Sequence, residues 1–103
     1  MKEIFKNKIV FVTGSTRGIG LFIAKQFALN GAKVFLNGRD KKFFKSAIDF
    51  VPGSQVIQGD LTNPESLKKV TNKLLDLAEN IDILVCNLGS GTSVKPGNET
   101  IEE

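Results

Sequence analysis

Residues 13–20 read TGSTRGIG and stand between the apolar run IVFV and the stretch LFIAKQFALNGA. Residues 9–13 are short, apolar and β-branched, as expected of a strand buried on both faces. Over residues 18–30 the apolar positions Ile19, Phe22, Ile23, Phe27 and Ala28 fall on one helical stripe, and Gly31 supplies a C-terminal stop. A buried strand that passes into a helix within a few residues needs a bend free of side chains, and this restricts the chain to folds built on such junctions.

The same alternation continues downstream. Residues 33–37, 55–58 and 82–87 are short and rich in Val, Ile, Leu or Phe, and the spacing predicts strands there. Between the second and third, Phe43, Phe44, Ala47 and Ile48 repeat the helical spacing until Pro52-Gly53 ends it. The next helix is announced by Thr62 and Glu65 in capping-box spacing and by Pro64 in the first turn, with Leu67, Val70, Leu74, Leu75 and Ala78 on one face. The order β-α-β-α-β-α-β predicts an α/β fold with a Rossmann-like parallel sheet of four strands and right-handed crossovers. Residues 88–99 read as a loop. Thr100 and Glu103 again have capping-box spacing, so a helix is expected to begin at residue 100.

Bulk properties narrow the partners. At 103 residues there is room for one domain. The net charge of +3 is spread over scattered lysines, which argues against a nucleic-acid face. With no histidine and one cysteine, neither a metal site nor an internal disulfide is expected; Cys86, in the run ILVC, reads as a buried core thiol. The N-terminal MKEIFKNK lacks the apolar core of a signal peptide, and no run approaches the roughly 20 apolar residues of a membrane span. A soluble cytoplasmic protein without a membrane partner is the resulting expectation.

The glycines can now be given chemistry. A dinucleotide pyrophosphate must approach the backbone N–H groups at a helix N-terminus, where the dipole favours anions. Gly14 is suited to the turn out of the strand, Gly18 to the close approach of phosphate, and Gly20 to packing of helix on strand. An isolated glycine triplet is equally compatible with a tight turn and no ligand. A P-loop is disfavoured, because no Gly-Lys-Ser/Thr follows. Arg39 lies about 20 residues beyond the loop at a strand end, where such folds contact the adenosine ribose; an Arg there suits the 2′-phosphate of NADP, and an acidic residue the 2′-hydroxyl of NAD. Asp40 beside it reads as an N-cap for the following helix, and the bland alternative leaves Arg39 as a surface charge.

TGSTRGIG, followed by NGRD, GDL and CNLG, resembles the N-terminal cofactor-binding half of the short-chain dehydrogenase/reductase family, from about Lys8 to Gly89. The resemblance implies that Gly14, Ser15, Thr16, Arg17, Gly18, Ile19 and Gly20 form the cofactor loop, and that Arg17 joins Arg39 at the 2′-phosphate. It also implies that Asp60 accepts from the adenine amino group with Leu61 near the ring, and that Asn87 and Gly89 match the last Asn and the Gly of Asn-Asn-Ala-Gly. Asp60 taken alone would read only as the start of a turn. Cys86 and Leu88 depart from the family pattern. NADP is the cofactor expected, rather than NAD.

Family members move a hydride between nicotinamide and a carbonyl or alcohol carbon, with a Tyr as general acid/base, a Lys four residues later and a Ser. This sequence has no tyrosine, so no catalytic residue is assigned and no independent activity is expected. The helix start at residue 100 reads as an interruption, so a fragment of a longer oxidoreductase is the first reading. A stand-alone nucleotide-binding module and an inactive product of an interrupted gene are the alternatives. Full-length relatives are usually homo-oligomeric.

Overall fold

In a computed structural model, which describes residues 3–87, four strands form one parallel sheet in the order β3-β2-β1-β4. The strands are β1 (Ile9–Val12), β2 (Lys33–Gly38), β3 (Gln55–Gln58) and β4 (Ile83–Val85). They are joined by α1 (Gly18–Leu29), a single 3-10 turn (Lys41–Phe43) leading into α2 (Phe44–Phe50), and α3 (Pro64–Leu77). The loop expected at 88–99, the helix start at 100 and the candidate residue Gly89 lie outside the described residues.

Strand alternation splits the apolar residues between two faces. Val10, Val12, Val34 and Leu36 point one way and pack with Ala24 of α1 and Ala47 of α2. Phe11, Phe35 and Ile57 point the other way and pack with Val70, Leu74 and Ala78 from α3 and its end. Both faces of β1 and β2 are thus covered, which is why these strands read as continuous apolar runs and show no polar alternation.

Several boundaries and faces differ from the expectation. Asn63 caps α3, its side chain accepting from the N–H groups of Glu65 and Ser66, and Pro64 holds the first helical position. Thr62 instead donates its hydroxyl to Asp60 at 2.6 Å. The apolar stripes are narrower than drawn: Ile19 and Phe22 of α1, and Leu67 and Leu75 of α3, are exposed. Small residues do the close packing of α1, since Gly20 and Ala24 are its buried positions.

Cys86 is exposed, contrary to the buried thiol expected. The reason is position in the sheet: among the described residues β4 pairs with β1 alone, while α3 packs on β3 at the opposite edge. Leu84, two residues before Cys86, is accordingly 58 % exposed. Apolar composition marks a strand but does not say which strand lies at an edge.

The strand order creates the site. From β1, the chain adds β2 and β3 on one side and then returns past β1 to place β4 on the other, so the strand order reverses at β1. A crevice opens outside the carboxyl ends of the strands at such a switch point.

Candidate functional site

A cavity of about 940 Å³ lies at this end of the sheet, lined by the glycine loop, the end of β2, the Gly59-to-Thr62 turn and Asn87. Behind that lining the backbone is packed too closely at Gly20 to admit a side chain. A Cβ at Gly20 would collide with the Gly14 carbonyl oxygen and with Nδ2 of Asn87. Gly18 has the opposite character. Its φ of +67° is in the left-handed region, and a Cβ there would meet nothing within 4 Å, so the backbone faces open space.

Gly38 brings β2 against the loop, for a Cβ there would collide with the Thr16 side chain. This close approach sets Arg39 and Arg17 on the rim of one cavity. Arg17 is the N-cap residue of α1, extended at φ −162° and ψ 168°, and makes no side-chain capping bond. The first turn of α1 therefore carries no side-chain cap and no acidic residue. Its N–H groups add to the positive potential at the rim.

Asp60 lines the same cavity beside Arg39. Its carboxylate accepts from the hydroxyl of Thr62 at 2.6 Å and from the Thr62 N–H at 3.0 Å, and Arg39 stands 4.0 Å away. These hydrogen bonds, foremost the Thr62 hydroxyl and helped by the Arg39 charge, hold its carboxyl below the usual aspartate range. Asp60 is therefore an ionised acceptor at neutral pH. Asp40 is engaged elsewhere: Oδ1 accepts from the Lys42 N–H at 3.1 Å, and Oδ2 is 3.6 Å from Lys42 Nζ. The carboxylate that stood beside Arg39 in the sequence is thus a cap with a counter-ion of its own.

Of the residues named from the sequence, Gly14, Thr16, Arg17, Gly18, Arg39, Asp60, Leu61 and Asn87 line the cavity together. Ser15, Ile19 and Gly20 do not. Ser15 is fully buried, with its hydroxyl donating to the Val12 carbonyl at 2.6 Å and its N–H to the Asn37 carbonyl at 2.7 Å. It shapes the bend from inside. Ile19 points outward and is 73 % exposed.

Asn37 was missed. It is buried, and its side-chain oxygen accepts from the Gly14 N–H at 3.0 Å while its amide donates to the carbonyls of Ile57 at 3.1 Å and Gly59 at 3.2 Å. One side chain thus joins the glycine loop, β2 and β3. The signal was available: an Asn inside an apolar strand must find partners once buried. Phe43, placed on a helical stripe by its spacing, also lines the cavity. Among the described residues there is no cluster of three or more metal-ligating side chains, and no helix is long and apolar enough to cross a membrane.

The family model described as short chain dehydrogenase matches residues 8–103. The chain belongs to the short-chain dehydrogenase family. It is similar to an uncharacterised oxidoreductase of Bacillus subtilis, 38 % identical over 87 residues, covering 82 % of this chain and 33 % of that protein. It is also similar to an NADP-dependent (R)-specific alcohol dehydrogenase of Lentilactobacillus kefiri, 32 % identical over 106 residues, covering the whole of this chain and 42 % of the relative. Among solved structures, the RhlG/NADP active-site complex of Pseudomonas aeruginosa matches with a TM-score of 0.77 at 32 % identity, over 86 % of this chain and 38 % of that one. The chain thus spans between a third and about two fifths of the relatives it matches. It corresponds to the N-terminal, Rossmann-like portion of the family, whose cofactor is a nicotinamide dinucleotide.

Proposed function

We propose that this chain is the NADP-binding portion of a short-chain oxidoreductase. The observation that carries the reading is the pair Arg17 and Arg39 on the rim of one cavity, with the Asp40 carboxylate drawn off by Lys42. Two guanidinium groups facing one ribose position favour a 2′-phosphate over a hydroxyl. The cavity fits a dinucleotide on two further grounds: the open space before Gly18, and the ionised acceptor at Asp60 for an adenine amino group.

The donors for the pyrophosphate are narrowed by the hydrogen bonds within the loop. The Gly14 and Ser15 N–H groups are taken by Asn37. The backbone N–H groups of Thr16 to Gly20 remain the donors, which gives Ile19 a backbone role despite its outward side chain. Leu61 supplies an apolar contact beside Asp60. Gly89, outside the described residues, enters the same proposal as a cofactor contact on the family resemblance alone.

When bound, the nicotinamide supplies or accepts the hydride. No tyrosine is present among the 103 residues, so in this reading the proton is moved by groups outside them. The chain's own work is to bind and orient. A lone exposed thiol suits a reducing compartment, and the cytoplasm belongs to the same reading.

The test is retention on immobilised 2′,5′-ADP against 5′-AMP. Stronger retention on 2′,5′-ADP, reversed by Arg39→Asp, is expected. Equal retention would overturn the NADP assignment, and an unchanged preference in the variant would remove Arg39 from it.

A further inference from the structure

The guanidinium of Arg17 lies over the ring of Phe43, with Cζ 4.6 Å from the centroid. We propose that Phe43 is a specificity-determining positioning residue, whose ring holds Arg17 on the Arg39 side of the cavity so that the site selects a phosphorylated ribose. The inference rests on the NADP reading and deepens it.

Among the described residues, no hydrogen bond or ion pair fixes the Arg17 side chain. It is exposed, makes no capping bond, and forms no ion pair among the described residues. A long cationic side chain left free in water would have to be ordered by the ligand, and the rotamer freedom lost would be subtracted from affinity. A ring beneath the guanidinium orders it beforehand, through attraction to the π face and through flat stacking that Arg makes better than Lys.

The platform itself is built into the turn after β2. Asp40 accepts from the Lys42 N–H with its side chain and from the Phe43 N–H with its carbonyl, at 3.2 Å for the second bond, and Ser46 donates its hydroxyl to the Phe43 carbonyl at 3.1 Å. The ring is half-buried and contributes to the cavity wall beside Arg39 and Asp40. Lys42 also approaches it, with Nζ 5.2 Å from the centroid, but the Asp40 carboxylate stands 3.6 Å from that ammonium and balances its charge. Among the described residues Arg17 has no such counter-ion, so its charge remains available to an anion.

The experiment is titration of the intact protein with 2′,5′-ADP and with 5′-AMP, for the unmodified chain, Phe43→Leu, Phe43→Tyr, Arg17→Met and the double variant Phe43→Leu/Arg17→Met. Phe43→Leu keeps apolar bulk and removes the π face, and is expected to lower the 2′,5′-ADP to 5′-AMP affinity ratio about two- to fivefold. Phe43→Tyr is expected to keep the ratio. In the Arg17→Met background, Phe43→Leu is expected to change it no further, which a merely structural role for the ring would not produce. A full ratio in Phe43→Leu, a Phe43→Tyr ratio as low as that of Phe43→Leu, or additive losses in the double variant would overturn the proposal while leaving NADP selection intact. No preference in the unmodified chain would overturn both.

Discussion

The side-chain amide of Asn87 donates to the Gly14 carbonyl at 3.1 Å, and its backbone N–H donates to the Thr13 hydroxyl at 2.8 Å. The end of β4 is thereby tied to the glycine loop across 73 residues of sequence. Thr13 completes the link by pairing with Val85 through both its N–H, at 3.0 Å, and its hydroxyl, at 3.3 Å. Asn87→Ala removes the side-chain bond and leaves the backbone bond, so a loss of about 0.5–1.5 kcal/mol is expected. Urea unfolding would show a lower midpoint with an unchanged slope. An unchanged midpoint would mean that the amide contributes nothing to holding the loop.

Gly18 and Gly20 should respond differently to the same substitution. At Gly20 an added methyl runs into the Gly14 carbonyl and the Asn87 amide, so Gly20→Ala is expected to destabilise the fold by about 1–3 kcal/mol through overpacking. At Gly18 the methyl meets open space, leaving only the left-handed backbone penalty of about 1–2 kcal/mol. Dinucleotide affinity should fall in Gly18→Ala even where the protein remains folded, because the methyl intrudes on the face left open to phosphate. Thermal melting paired with 2′,5′-ADP titration separates the two. A Gly18→Ala chain that binds as well as the original would deny that face to the ligand.

The Asp60 carboxyl offers a test by pH. Its value in the folded chain is depressed, first by the Thr62 hydroxyl, then by the Thr62 N–H and by Arg39. A depressed acid stabilises the fold above its ordinary range and loses that contribution as pH falls through the folded value. Thr62→Val removes the leading cause and should raise the Asp60 titration toward that of a free aspartate, followed by the carboxyl carbon shift in NMR. The loss of stability on acidification that Asp60 contributes should then shrink, because its folded and unfolded values come to nearly coincide. An Asp60 titration identical in the two chains would show that the hydroxyl does not hold the carboxylate.

These residues also show what was readable in advance. The glycine loop was legible because close backbone approach leaves a trace in composition: a position that tolerates no Cβ must be Gly. The helix-strand alternation was legible for a similar reason, since burial on both faces writes a continuous apolar run. The cap of α3 was drawn one residue early because Thr62, Asn63 and Asp60 are all capping types; Pro64 decides it, as proline prefers the first helical position and so puts the cap at Asn63. Exposure of Leu84 and Cys86 could not be read, because an edge strand and a central strand are written in the same residues. Phe43 fits the period of a helix and also walls the cavity, and periodicity alone does not distinguish the two.

Asn37 ties the glycine loop, β2 and the end of β3 together through one buried side chain. Its three hydrogen bonds satisfy the Gly14 N–H and two β3-side carbonyls, and its own backbone exchanges bonds with Ser15, accepting from the Ser15 N–H and donating to the Ser15 hydroxyl at 3.0 Å. Asn37→Leu preserves the volume and removes every side-chain partner, leaving the Gly14 N–H and the Ile57 and Gly59 carbonyls to find others. An unsatisfied buried group costs about 1–3 kcal/mol, so the variant should lose at least that much by urea unfolding, more than Asn87→Ala. Amide exchange at Gly14 should accelerate beyond the global change, because that N–H loses its only side-chain acceptor among the described residues. A uniform change in exchange, with no excess at Gly14, would mean that the loop is held by the β1–β2 ladder and that Asn37 is a passenger in it.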